Sequence, residues 1–508
     1  MTLKKRVIAV LLITCVIGGI YALTKTGLIF HQTEESKEAD ESLFGGQRET
    51  LYLWYTDEAL SDYLNSVAVS YNDYQEDARI IPVYTPGSEY LETINQASLQ
   101  SEEVPDLYIV GNDSLEKAYL AGLASEIRIP QEASGLESNF PESSIHAVTY
   151  HDKQIGYPFY FETSSFLYNK TYLEDFARAQ IQAQMDEEAA QEAEAQLAQN
   201  GPVEGAQEPS ENGEEGTLQL DEAAVAAMVE ETLPKTIDDI LAFADVYDAP
   251  EQVEAIFKWD VSDIFYNYFF VGNYIDVGGS AGDQDDSIDI YNENAIRCMR
   301  VYQDLNQFFS IDTEEISYAG ILQDFIDGKI LYTVVTTDAL AKIEAAKENG
   351  EFVYEYGTSL IPDVNEELIS RSLSITQCIV VNGYSTHKDM ANDFAVYLAC
   401  QNADHLYDRT GKVPALTGAD ITNWNAEAFV KEYEKSIPHP KMIETSNFWV
   451  ELEIAFARIW GSDDANAELK ALSEKIMTQI TGDIYTEEYI DVPEDVPEEE
   501  EEVEVEEE

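Results

Sequence analysis

Carboxylates are the groups this sequence has most of for chemistry. Ninety-nine Asp and Glu stand against 29 Lys and Arg, a formal charge of −70 over 508 residues. Two acids held roughly 5–10 Å apart, one with a raised pKa, would suffice for glycoside hydrolysis. No pair here is set apart from the rest by its spacing, and a solvated acidic surface accounts for such an excess. The sequence reads as having no nucleophile elbow, no HExxH zinc motif and no P-loop. Cys15, Cys298, Cys378 and Cys400 form no CxxC and no Cys/His cluster, and read as small apolar side chains. A Cys298–Cys378 or Cys378–Cys400 bridge stays open in an oxidising compartment. The run Asp283-Gln284-Asp285-Asp286 lacks the Gly and terminal Glu of an EF-hand loop. Neither a metal nor a cofactor is expected, and no catalytic residue stands out. The charge also excludes nucleic acid, whose phosphates are read by Lys and Arg. What remains is binding.

Those side chains need elements to hold them. An apolar content of 44%, with 31 Tyr and 20 Phe, supplies enough core for two or three domains. Leu51–Tyr55, Ile80–Tyr84 and Pro105–Val110 read as strands, and the stretches between them carry helical apolar spacing. Strands alternating with helices imply βαβ units and a largely parallel sheet, with ligands at the carboxyl ends of the strands.

Four segments stand outside this pattern. Lys4-Lys5-Arg6 precedes an apolar run from Val7 to Leu23, an export signal whose expected fate is retention as an anchor. Lipidation at Cys15 and cleavage near Ala22 are the alternatives; in each case the body lies outside the cytoplasm. Residues 31–50 read as an acidic linker. Residues 178–232 hold 14 acids, one base and no aromatic residue, and read as a surface helix, an excursion and a second helix near 221–231. Residues 483–508 hold 15 acids and no base, and read as a disordered tail. Without insert and tail the charge is still −42.

Between Leu51 and Gly482 a series of short motifs appears in a familiar order. Leu51–Asp57 comes first, then Val104-Pro105-Asp106-Leu107-Tyr108 with Leu120-Ala121-Gly122-Leu123-Ala124. Gly156-Tyr157-Pro158, Glu162 and Leu167-Tyr168-Asn169-Lys170 follow, then Leu233-Pro234-Lys235-Thr236-Ile237-Asp238. Phe325-Ile326-Asp327-Gly328-Lys329-Ile330, Cys378–Asn382 with His387-Lys388-Asp389, Gly411-Lys412-Val413-Pro414-Ala415 and Phe448-Trp449 complete it. No single motif is specific, but eight in this order resemble the extracellular solute-binding proteins of ABC importers, the maltose-binding-protein-like family. That resemblance implies an α/β, two-lobed periplasmic-binding-protein-like fold with a hinge and an interlobe cleft. On this reading lobe 1 spans about 51–157 and 330–385, and lobe 2 about 158–329 and 386–482.

The resemblance also implies a site. Asp57 and Glu58 follow the first strand, Asp113 follows the third, and Glu162 follows Tyr157-Pro158; these positions match polar ligand contacts of the family. Trp449 matches a ring-stacking tryptophan, and Trp259 and Asp338 complete the set from the second lobe. Each has a plainer alternative: Asp57 as a helix cap, Glu162 as a hinge hydrogen-bonding residue, Trp449 as packing between helices. Glu58 stands where the maltose-binding branch has a lysine and Val110 where it has a tryptophan, which puts maltose itself in doubt. The implied function is a monomeric binding protein that passes a small solute, an oligosaccharide first of all, to ABC permease subunits while tethered to the membrane by its N-terminal segment. A surface-anchored sensor for a polyamine or peptide is the alternative.

Overall fold

The computed structural model describes residues 48–100, 104–128, 138–200, 221–309, 311–313, 315–445 and 447–493. The N-terminal apolar segment, nearly all of the linker, the centre of the insert and the end of the tail lie outside them. No helix among the described residues is long and apolar enough to cross a membrane. The described residues fall into two compact units, 48–50 with 69–80 and 51–68 with 81–493. The first holds the end of one helix and the starts of two strands; all that follows concerns the second.

The expected alternation is present at the N-terminal end: β1 Glu49–Tyr55, α1 Ser61–Tyr74, β2 Ala78–Tyr84, α2 Tyr90–Gln100 and β3 Pro105–Gly111. β3 is buried at every residue, as an apolar strand covered on both faces must be. It pairs in parallel with β1, Leu53 beside Leu107. The next long strand is β4, Tyr157–Asn169. Beyond it lie β5 Ala255–Phe257, β6 Ile330–Thr336, β7 Tyr356–Ser359, β8 Leu373–Val381 and the short β9 Val413–Pro414. Along the sheet the order runs β1-β3-β8-β4-β6-β5, and of these pairs only β1–β3 and β6–β5 are parallel, so the sheet is mixed and not largely parallel as expected.

β4 changes partners in mid-strand. Its residues from Tyr157 to Thr163 pair with β8, and those from Ser164 to Asn169 pair with β6 and β7. Two half-sheets therefore share one strand, and the crossing point is Thr163–Ser164. This pairing departs from the expected division at 330 and 386. β6 and β7 belong with β5 in the second half-sheet, whereas β8 belongs with β1 and β3 in the first. The helix Lys388–Val396 also sides with the first: the Asn392 carboxamide oxygen accepts from the Tyr157 hydroxyl at 2.6 Å and from the Arg128 N–H at 2.8 Å. No turn residue marks the switch inside β4, so the sequence hides it.

The two helices expected around the insert are present. α3 runs Lys170–Asn200 and α4 runs Glu222–Thr232, with Asp221 capping α4 through the Ala223 N–H at 3.0 Å. Val225 and Val229 are buried, and Arg178 bonds Glu222 at 3.1 Å. The tail differs from expectation in its first eleven residues, which are mostly exposed but are tied to the body at several points. Arg300 donates to the carbonyls of Val492 at 3.0 Å and Pro493 at 2.8 Å, and the Ile490 N–H donates to the Tyr291 hydroxyl at 3.0 Å. Cys298, Cys378 and Cys400 are free thiols, and burial pushes Cys298 up to about 12 and Cys400 up to about 11.

Trp259, proposed above as a ligand platform, is instead the centre of the second core. It is 0% exposed, its ring centroid lies 4.5 Å from that of Phe257 and 5.6 Å from that of Trp460, and its indole N–H donates to Asn267 at 2.8 Å. Phe257, Trp259 and Val261 recur at every second residue and are all buried, so one strand-like face carries them into the core. Trp259→Ala should lower unfolding free energy by about 3–5 kcal/mol, read from denaturant midpoints; a loss below 1 kcal/mol would contradict this placement.

Candidate ligand-binding site

The shared strand carries the first clue. Along β4 only Glu162 escapes full burial, and along β8 only Ile375 and Gln377 do so. Ile375 lies opposite Glu162, and Gln377 opposite both Tyr160 and Gly111, so these half-exposed side chains share one face. A buried strand that exposes residues at alternate positions on one face is the floor of an opening.

Three of the expected carboxylates meet there. Asp57 caps the short turn after β1, accepting the Ala59 N–H at 3.0 Å with Oδ1. Its other oxygen, Oδ2, lies 2.9 Å from Lys412 Nζ, so the helix-cap alternative and a place in the site are both satisfied. Lys412 immediately precedes β9, which pairs with β4 as Val413–Phe161 and Pro414–Tyr160. One more step in that antiparallel register sets Lys412 beside Glu162, and Nζ is 3.7 Å from Oε1. The same ammonium lies 5.5 Å from the Tyr160 ring centroid. From the other half-sheet, β6 ends at Thr336, and the Thr337 hydroxyl donates to the second oxygen of Glu162. Asp338, the next residue, accepts from Tyr318 at 2.7 Å and Thr336 at 2.5 Å, and pairs with Lys342.

The electrostatics follow from these contacts. Burial raises the Glu162 carboxyl above its ordinary value, against the opposing pull of Thr337 and Lys412. Burial pulls the Lys412 ammonium down, but Glu162 and Asp57 outweigh it and hold it above the usual lysine value. For Asp338 burial acts upward, and the combined bonds from Lys342, Thr336 and Tyr318 bring it below the ordinary carboxylate value.

The remaining candidates are placed differently. Glu58 is exposed on the turn that Asp57 caps. Asp113 is exposed beyond the end of β3, near enough to His439 to favour its charged form, although burial still lowers that imidazole. A Cβ at Gly111 would strike the Asp113 carboxylate, so glycine is what lets this acid fold back toward Gln377. Trp449 is half-buried, its ring 4.3 Å from His439 and 5.4 Å from Tyr268. Its packing role is therefore real, and part of the ring stays open. Lys412, Tyr160 and Gln377 were missed by sequence reasoning, although Lys412 lies in the quoted Gly411-Lys412-Val413-Pro414 motif. Ser280 in Gly278-Gly279-Ser280-Ala281-Gly282 has the spacing of a nucleophile elbow, but it sits in the loop between short strands Asp276–Val277 and Ile288–Asp289 and not on a strand-to-helix turn.

The two shifted carboxyls predict opposite pH signatures. Glu162, raised on folding, favours the native state below its unfolded value of 4.5 and withdraws that stability as pH rises. Glu162→Gln should thus gain melting temperature relative to wild type on going from pH 4 to pH 7. Asp338, lowered on folding, contributes above its unfolded value of 3.8 and loses that contribution as pH falls. Asp338→Asn should melt below wild type at pH 7 and converge with it under acid; parallel curves for both variants would refute the assignment.

Comparison with known proteins bears on the family and the fold. Residues 67–435 match the family described as bacterial extracellular solute-binding protein. No curated protein matches the sequence. Among solved structures, the chain resembles an extracellular solute-binding protein from Staphylococcus aureus in complex with maltose, at 16% identity and a TM-score of 0.64 over 86% of this chain and 99% of that one. It is similar to the maltose-binding periplasmic protein of Listeria monocytogenes in complex with maltose, at 20% identity and 0.64 over 86% and 99%. A Streptococcus pneumoniae protein in complex with maltopentaose aligns at 17% identity and 0.58 over 85% and 99%. At such identities the likeness speaks for the two-lobed fold, while the family match covers most of the sequence. The chain belongs to the bacterial extracellular solute-binding protein family.

Proposed function

We propose that this protein is the extracellular substrate-binding component of an ABC importer, and that it captures a neutral carbohydrate in the cleft where its two half-sheets meet. In this reading each half-sheet is the core of one lobe, β4 crosses between them, and ligand closes the hinge by binding the closed state more tightly. The observation that carries the proposal is the convergence of Asp57, Glu162, Asp338 and Lys412 with Tyr160 and Gln377 around the crossing point. Aromatic faces suit the apolar sides of sugar rings, and acids, amide and ammonium suit their hydroxyls. Asp113 and the open part of Trp449 extend the lining toward His439. Glu58 is a rim contact at most. The sugars bound by the similar solved structures support this class of ligand. The pairing of Asp57 and Glu162 with Lys412, and of Asp338 with Lys342, weighs against a polyamine, because the acids already hold cations. The body works outside the cytoplasm, held near the permease by its N-terminal segment, whether by the Val7–Leu23 run or by lipid on Cys15.

The test is a thermal-shift panel of neutral mono- and oligosaccharides, polyamines and peptides. A cognate sugar at a hundred times its Kd should add about 2.7 kcal/mol of stability. Glu162→Gln and Trp449→Ala should each weaken that ligand, while the sugar is recovered unchanged. A panel in which only amines shift melting, or in which the sugar is turned over, defeats the proposal.

A further inference from the structure

Lys412 was not among the residues expected to touch ligand, yet it is the only cation among the described residues that bonds two of the candidate acids. Its ammonium stands between Asp57 Oδ2 at 2.9 Å and Glu162 Oε1 at 3.7 Å, with one side over Tyr160. The third acid of the cluster, Asp338, has a separate cation in Lys342. The cluster is thus nearly neutral within a chain of charge −70. That balance is unexpected. A cleft lined by one sign of charge concentrates ions of the other sign, so an acidic body with three bare acids in its cleft would gather amines.

We infer that Lys412 is the charge-selectivity residue of the cleft: it occupies the place a ligand cation would take, and so reserves the site for uncharged polyhydroxyl ligands. The inference rests on the sugar-binding reading and adds to it a specific determinant. An ammonium has three donors. Asp57 takes one at 2.9 Å, Glu162 at 3.7 Å attracts the charge without a hydrogen bond, and a donor is left for a ligand hydroxyl. β9 fixes the backbone from which Lys412 springs, and β4 fixes Glu162, so the ion pair is held by the same antiparallel register. Removing the charge leaves Asp57 and Glu162 facing one opening with an uncancelled negative field. A structural reading, in which Lys412 only ties β9 to β4, predicts a change in melting and no change in ligand preference.

The full-length protein, Lys412→Met, Lys412→Arg and Lys412→Met/Glu162→Gln are titrated by calorimetry at low ionic strength with maltotetraose and with spermidine. Wild type should bind maltotetraose and not spermidine. Lys412→Met should weaken maltotetraose at least tenfold and gain at least tenfold for spermidine; Lys412→Arg should keep the wild-type preference; the double variant should lose the spermidine gain. A Lys412→Met protein that folds and keeps wild-type preference overturns the assignment. If melting shows that Lys412→Met does not fold, Asp57→Asn/Glu162→Gln decides: it removes both acids paired with Lys412 and should gain at least fivefold for glucuronate, and no gain overturns the assignment. Wild type that binds no neutral sugar, in this titration or the panel, defeats the sugar reading itself and the selectivity inference with it, an outcome visible without any variant.

Discussion

One strand serves two half-sheets, and a carboxylate sits where it crosses from one to the other. β4 donates its first seven residues to β8 and its last six to β6 and β7. Glu162 stands one residue before the switch. A buried charge without partners is costly, and removing one member of a buried pair commonly costs about 3–5 kcal/mol. Glu162 therefore demands partners from both sides, and it has them: Lys412 from the segment paired with the first half of β4, and Thr337 from the end of the strand paired with its second half. The geometry of the whole cleft is tied to that demand. Asp57 is brought in by Lys412, and Asp338 follows Thr337 in the chain.

The same arrangement explains how such a site can respond to ligand. The two half-sheets meet at a single continuous backbone with small polar residues at the crossing: the Thr163 hydroxyl donates to the Leu373 carbonyl at 2.8 Å and the Ser165 hydroxyl to the Ser359 carbonyl at 2.7 Å. Each bond anchors β4 to a different flanking segment. A rotation between the two halves need break no ladder within either, because among the described residues no ladder except that of β4 spans both. Hinge closure concentrates change in a few residues and leaves packed layers intact. Polar groups at the crossing exchange partners at little cost, provided that a ligand hydroxyl replaces each bond that opens.

What the sequence disclosed and what it hid divide along physical lines. Buried strands announce themselves as apolar runs, so β1 and β3 were readable. Asp57 and Glu162 could be singled out because each follows a recognisable motif. Lys412 lies in an equally recognisable motif, but its chemistry depends on acids hundreds of positions earlier, which only the folded register brings near. Trp259 was placed in the site only by its position in the second lobe; the informative feature was the alternation with Phe257 and Val261. In the tail, Ile490 and Val492 are hidden among acids, yet Val492 is 5% exposed and the chain there is pinned by Arg300. Composition describes the average of such a segment, and two apolar residues are enough to seat part of it.

The excess of acid also has to be reconciled with the proposed site for uncharged ligands. Charges on an open surface are screened over about 8 Å in physiological salt, so most of the −70 has little effect at the crossing point. Pairs that are partly withdrawn from solvent are screened far less, and in the cleft these are the pairs Asp57–Lys412, Glu162–Lys412 and Asp338–Lys342. Local pairing decides what the cleft presents, while the surface total keeps the body soluble and away from polyanions. An acidic protein with an internally balanced pocket is consistent on both counts. Asp338 holds a cation of its own and Asp57 and Glu162 share one, and carboxylate oxygens not so engaged can accept hydrogen bonds from the hydroxyls of a ligand.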